Sequence, residues 1–129
     1  MQYGRFRTNY ISNLEVNAAS IGELLESEFE KRLIPIELPM AADWGYTFRA
    51  RIGKQLVDVF VIDQDEDGYG IALEPPKDIF SWFFSHEQKK AIESVKSILS
   101  EILFAITPGS TLIWYSKDEW LATFDTDFW

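Results

Sequence analysis

The sequence of 129 residues contains no cysteine and only one histidine. Without cysteine the chain has no disulfide, no thiolate metal site and no cysteine nucleophile. Basic residues are also few, since 12 Lys+Arg stand against 21 Asp+Glu and the formal net charge is -9. This negative charge repels phosphate groups, so we expect no nucleic-acid partner and no anionic membrane partner.

Long hydrophobic runs are missing as well. The longest apolar-rich segment, 98–106, contains Ser100 and Glu101 and is too short to span a bilayer. The first residues, 1–7, lack the apolar stretch of a secretory signal, so we expect a cytoplasmic protein. With 47% hydrophobic residues, a chain of this length predicts a single globular domain over residues 1–129.

Two segments have the hydrophobic spacing of amphipathic helices. The first covers about residues 21–33, begins after the capping-box pair Ser20 and Glu23, and ends before Pro35. The apolar residues that share one face of this helix are Ile21, Leu24, Leu25, Phe29 and Leu33. The second helix covers about residues 86–106. We expect each helix to bury its apolar face against a sheet.

Alternation of apolar and polar residues predicts strands at 44–52, 56–62, 69–74 and 111–115. Residues 53–54, Gly-Lys, suit a two-residue type II′ turn between the first two strands. Such a turn places Phe48 opposite Val59 on one face of the hairpin. It places Arg49 opposite Asp58 on the other face, where the two charges form a cross-strand pair.

The order helix, three meandering strands, helix, strand is typical of the α+β class. We expect an antiparallel sheet of four or more strands, covered on one face by the two helices. Residues 3–7 predict an additional strand at an edge of this sheet. Near the C-terminus, Ser116 and Glu119 have capping-box spacing, which predicts the start of a short helix.

An acidic segment matches the spacing of the calcium loop of an EF-hand, with candidate ligands Asp63, Asp65, Asp67 and Glu74. An EF-hand needs a helix on each side of its loop. Here the residues before Asp63 alternate as a strand, and Pro75-Pro76 excludes a helix after the loop. The sequence therefore favours a solvated acidic turn without a metal, and a calcium-binding module is an alternative function.

No catalytic constellation is recognisable in the sequence. His86 is the only histidine, so it has no second histidine to complete the zinc site of a metalloprotease helix, and we expect an exposed, ordinary side chain. Motifs for a nucleophile elbow, a phosphate-binding glycine loop and a dinucleotide site are missing. We therefore expect neither enzymatic activity nor a cofactor.

Aromatic residues make up 16% of the chain, and two stretches of them suggest recognition of a protein. The segment 79–84 either closes the core under the long helix or contacts a partner. In the C-terminal tail, rings of the kind enriched in binding hot spots alternate with acids that steer basic partners, unless the tail packs across the sheet. The candidate partner-binding residues of the tail are Asp118, Glu119, Trp120, Phe124, Asp125, Asp127, Phe128 and Trp129.

Several of these features recur together in a known family. They are the Trp44–Ile52 hairpin, Ile71-Ala-Leu-Glu-Pro-Pro76, Phe80, the amphipathic helix, Leu112-Ile-Trp-Tyr115 and Glu119-Trp120. Over roughly residues 44–120 this succession resembles small bacterial immunity proteins, which are cytoplasmic inhibitors of toxins from polymorphic or contact-dependent systems. The resemblance implies a protein-binding module that occludes the active site of a basic toxin domain. A homodimeric structural or ligand-binding protein is the other alternative.

Overall fold

The computed structural model describes residues 2–7, 18–63, 68–76, 86–106, 111–116, 118, 119 and 122. The elements in these residues are β1 (Gln2–Arg7), α1 (Ala18–Lys31), β2 (Ile36–Ala42), β3 (Gly45–Ile52), β4 (Gln55–Asp63), β5 (Gly68–Glu74), α2 (His86–Ile106) and β6 (Thr111–Tyr115). The strands form one antiparallel sheet in the order β2-β3-β4-β5-β1-β6, and both helices pack on the same face of it. The predicted α+β class is confirmed.

The hairpin of β3 and β4 has the predicted register. Phe48 lies opposite Val59 in the core, and Arg49 lies opposite Asp58 on the face away from the helices. The turn between the strands places Gly53 at a φ of 62°, and Lys54 is not left-handed, as a type II′ turn requires. A glycine without a β-carbon adopts this backbone without steric cost, which explains why the turn fixes the register.

Helix α1 packs against β3 and β4 through a line of residues four apart, Ile21, Leu25 and Phe29. The ring of Phe29 meets the ring of Phe48 edge to face, with 5.5 Å between the centroids. The prediction was wrong for Leu24 and Leu33, which are exposed. Leu24 lies at the side of the buried line, and Leu33 follows the end of the helix. The helix also begins earlier than predicted, so Ser20 lies inside its first turn.

A left-handed residue ends helix α1. Leu33 has a φ of 61°, its N–H donates to the carbonyl of Glu30 at 2.9 Å, and the N–H of Ile34 donates to the carbonyl of Phe29 at 3.0 Å. This pair of bonds is a Schellman motif, in which glycine is the usual left-handed residue. Leucine in this backbone costs roughly 1–2 kcal/mol, and the Leu33 side chain is 90% exposed, so packing does not offset that cost.

We expect Leu33→Gly to raise the free energy of unfolding by about 0.5–1 kcal/mol, because glycine adopts the left-handed backbone without strain. Urea denaturation measures the change. Leu33→Ala is the matched control, since it removes the same exposed side chain but keeps a β-carbon, and its stability should stay close to that of the wild type. A glycine variant no more stable than the alanine variant would contradict this account.

The sequence predicted that β1 lies at an edge of the sheet, and this prediction was wrong. Strand β1 pairs with β5 on one side and with β6 on the other. The edges of the sheet are β2 and β6. Strand β2 was not predicted at all. It contains Pro39, and its register against β3 shifts between Glu37 and Met40. Proline lacks an N–H and is tolerated in edge strands, which explains both the position of β2 and its weak sequence pattern.

None of the helices in the described part of the chain is both long enough and apolar enough to cross a membrane.

Candidate functional site

The structure describes two of the predicted partner-binding residues of the tail, Asp118 and Glu119, and both are exposed. The predicted capping box is confirmed, because the N–H of Ser116 donates to Glu119 Oε1 at 2.9 Å and the N–H of Glu119 donates to Ser116 Oγ at 3.2 Å. Hydrogen bonds with Ser116 lower the pKa of Glu119, and the bond from the Ser116 N–H has the larger effect. The remaining tail candidates lie outside the described residues: Trp120, Phe124, Asp125, Asp127, Phe128 and Trp129. So does segment 79–84.

The candidate calcium ligands are separated by strand β5. Asp63 ends β4 and pairs with Tyr69, whereas Glu74 ends β5 and pairs with Asp58. Five strand residues beyond Tyr69 correspond to about 17 Å, so Asp63 and Glu74 cannot surround one ion as in an EF-hand. Asp65 and Asp67 lie outside the described residues. Within the described residues, no three His, Asp or Glu side chains are grouped to hold a metal ion.

His86 is the first residue of α2, and its side chain is exposed, as predicted.

Exposed apolar side chains gather at the β2 edge of the sheet, on the face away from the helices. Leu38 and Met40 of β2 are 68% and 54% exposed, and Trp44 in the turn before β3 is 36% exposed. Phe60 of β4 lies beside Trp44, with 6.1 Å between the ring centroids. We call these four residues the edge patch. Contiguous exposed apolar surface of this kind marks interaction sites more often than single exposed residues do.

A backbone irregularity presents the edge patch. Leu38 has a φ of 51°, and the register of β2 against β3 shifts at this point. Bulges of this kind redirect side chains, here those of Leu38 and Met40 at the border of the sheet. The left-handed backbone costs leucine roughly 1–2 kcal/mol, and the side chain is mostly exposed, so burial does not compensate for it.

The edge patch borders a groove of about 320 Å³. Leu38, Met40 and Phe60 line it with apolar atoms, and Thr47, Arg49 and Asp58 line it with polar atoms. Arg49 donates to Asp58 through Nε at 2.8 Å and through Nη2 at 3.4 Å. Thr47 Oγ1 donates to the carbonyl of Val59 at 3.0 Å. The polar groups of the groove are thus bonded to each other or to the backbone, and the ion pair has no net charge.

The face of the sheet away from the helices is shielded from solvent at β5. Ala72 and Glu74 of β5 point away from the helices, yet they are 0% and 2% exposed. At β3 and β4, by contrast, Thr47 and Phe60 are partly exposed. Among the described residues this face is therefore open in the β2 to β4 region, where the edge patch lies, and again at Ile113 of β6, which is 53% exposed.

Carboxylates line the other side of the β2 edge. Glu23, Glu26 and Glu30 follow one another along α1, and we call them the acidic ridge. The hydroxyl of Tyr46 donates a hydrogen bond to Glu26 Oε2, and Tyr46 pairs with Ala41 of β2. Within the described part of the chain, no lysine or arginine forms an ion pair with the ridge. The acidic ridge and the edge patch therefore flank β2 from its two sides.

Ionisation of Tyr46 is opposed by its surroundings. Burial raises the pKa of Tyr46 far above its ordinary value, and the hydrogen bond to Glu26 and the charge of the acidic ridge raise it further. The fold therefore keeps a proton that the unfolded chain loses near pH 10. The stabilisation is fully present below about pH 10 and is lost progressively as the pH rises above it.

We expect the stability of the wild type to fall between about pH 9 and about pH 11, and the fall to be smaller in Tyr46→Phe, which has no hydroxyl to ionise. Urea denaturation at the two pH values measures it. Glu26→Gln should also reduce the fall, because it removes the nearest negative charge. Equal declines in the wild type and Tyr46→Phe would show that another group is responsible.

The edge patch was not found by sequence reasoning. Its members come from β2, from the turn before β3 and from β4, and they meet only because β2 pairs with β3. One signal was available. Strand β4 carries apolar residues on both faces, with Val57 and Val59 inward and Leu56 and Phe60 outward. A sheet face in contact with water does not need an apolar outer row.

No protein-family model, no curated protein and no solved structure matches the chain.

Proposed function

We propose that this protein is a protein-binding module that holds a basic partner at the β2 edge of its sheet. The observation that carries the proposal is the edge patch. Leu38, Met40 and Trp44 are exposed side by side, and Leu38 keeps a left-handed backbone that its own packing does not stabilise. The backbone strain at Leu38 is offset when these side chains become buried against a partner.

Charge favours a basic partner. The whole chain carries a net charge of -9, and the acidic ridge lies along the edge strand that bears the edge patch. Asp43, exposed next to Trp44, adds a carboxylate that pairs with no lysine or arginine among the described residues. Acidic groups around an apolar centre accelerate the encounter with a basic surface, while the apolar contacts supply most of the affinity. A second copy of the chain would instead meet like charge.

An immunity-type inhibitor is the specific form of this proposal. In that role the edge patch would dock beside the active site of a toxin domain, and the carboxylates of the acidic ridge would occupy positions that the toxin uses for an anionic substrate. The resemblance to immunity proteins in element order supports this form, and the exposed edge patch supplies the anchoring surface that such an inhibitor needs.

Where a neighbouring gene encodes a toxin domain, the test is isothermal titration calorimetry with that purified domain, made inactive by a substitution in its own active site. We expect the wild-type chain to bind, and Met40→Glu and Trp44→Ala to raise the Kd at least about tenfold, as loss of a central anchor does. Phe104→Glu is the matched control, because Phe104 is also exposed but lies on α2, and its Kd should not change.

Circular dichroism checks that each variant folds. Unchanged binding by both patch variants would contradict the edge patch as the docking surface, and no binding by the wild-type chain would contradict the inhibitor. Light scattering of the free protein detects the alternative occupant, because a stable dimer that Met40→Glu dissociates would assign the edge patch to a second copy.

A further inference from the structure

The groove beside the edge patch has a lining that selects one kind of occupant. We infer that it receives a single aromatic side chain of the basic partner. This inference rests on the proposed function, since it names the group by which the partner is anchored.

The apolar lining comes from residues on three strands, and one of these residues is Phe48 of β3. Leu38 and Met40 belong to β2 and Phe60 belongs to β4, while Trp44 extends the apolar surface next to Phe60. Unbranched methionine adapts to the shape of a ring, and its sulfur makes favourable contacts with ring edges. Rings that meet at a tilt, as Trp44 and Phe60 do at 44°, leave faces and edges open to a further ring.

The polar lining disfavours a charged occupant. Arg49 and Asp58 neutralise each other through two hydrogen bonds, and their side chains are only 16% and 14% exposed. A charged group in the groove would lose hydration without gaining a free counter-charge, because Arg49 and Asp58 are already paired with each other. A neutral ring disturbs neither charge and shields the pair from water, which strengthens its attraction.

The groove is large enough for one aromatic side chain. Its volume of about 320 Å³ lies at the lower end of the range for ligand pockets, roughly 300–1,000 Å³. The basic groups of the partner would lie outside the groove, near Asp43 and the acidic ridge, where carboxylates are exposed. The partner segment that fits is therefore an aromatic residue flanked by lysine or arginine.

The test is an NMR titration of the full chain with indole, using methionine labelled with 13C in its methyl group. The sequence has two methionines, so the Met40 signal is readily assigned. We expect indole to shift the Met40 methyl signal in a saturable way, and neither N-acetyl-argininamide nor acetate to do so. Leu38→Ala should weaken indole binding at least threefold, whereas Leu33→Ala, the same substitution at another exposed site, should leave it unchanged.

A shift that grows linearly with indole concentration would overturn the inference. So would saturation by N-acetyl-argininamide, or indole binding that Leu38→Ala leaves intact. Failure here is distinguishable from failure of the proposed function. Toxin binding that depends on Met40 without indole binding overturns this inference alone. Saturable indole binding without toxin binding supports a ring-selective groove and overturns the inhibitor.

Discussion

Gly22→Ala is expected to lower the free energy of unfolding by about 3 kcal/mol, although alanine is the better helix former by roughly 1 kcal/mol. Gly22 lies on the face of α1 that packs against β3, directly over Tyr46. A β-carbon at this position would lie 2.6 Å from Cγ and Cδ1 of the Tyr46 ring. The helix would have to move away from the sheet, and Ile21 and Leu25 would lose contacts with it.

Ser27→Ala is the matched control for Gly22→Ala. Ser27 is exposed on the same helix, so alanine there improves helix propensity without a steric conflict, and stability should stay equal or rise slightly. Urea denaturation of the wild type and the two variants measures both effects. If Gly22→Ala were as stable as Ser27→Ala, the close approach of α1 to β3 would be contradicted.

Arg49→Met should lower the free energy of unfolding by about 3 kcal/mol at pH 7, because it leaves Asp58 largely buried without its ion-pair partner. Arg49 lies in a row of paired residues that crosses four strands, Glu37, Arg49, Asp58 and Glu74. Without the guanidinium, Asp58 faces the buried carboxyl group of Glu74.

Arg51→Met is the matched control, because it removes an arginine from an ion pair that is much more exposed. Arg51 forms an ion pair with Glu37 at 2.7 Å, but these side chains are 42% and 40% exposed, and exposed pairs contribute little. We expect less than about 1 kcal/mol of destabilisation. Equal losses for Arg49→Met and Arg51→Met would show that burial of the pair is not the cause.

The β3–β4 hairpin could be predicted to the residue because independent signals agree there. Gly53 fixes the turn, alternation places Phe48 and Val59 inward, and the opposite charges of Arg49 and Asp58 are satisfied in the same register. The second helix was predicted with its observed bounds because its apolar residues repeat over 21 residues. Local sequence is sufficient wherever turn, pattern and charge require the same arrangement.

Strand β2 could not be predicted because its sequence contradicts its structure. Pro39 breaks the pattern, and Leu38 adopts a backbone that leucine rarely takes. Pairing with β3 holds the segment in place, and that is a tertiary contact that no local window contains. The edge patch was missed for the same reason, since Leu38 and Met40 reach Trp44 and Phe60 only through this pairing. The sequence predicted the aromatic tail as the binding segment instead, because the alternation of rings and acids there is a local pattern.

The position of β1 inside the sheet has a consequence for the order of folding. Strands β2 to β5 pair with their neighbours in the chain, so this meander closes only short loops. Tyr3, by contrast, pairs with Ala72 on one side and with Tyr115 on the other. Closing long loops costs more entropy, so β1 should join a meander that has already formed, and β6 can pair only afterwards. The ribosome therefore synthesises β1 long before it synthesises β5 and β6, the two strands with which β1 pairs.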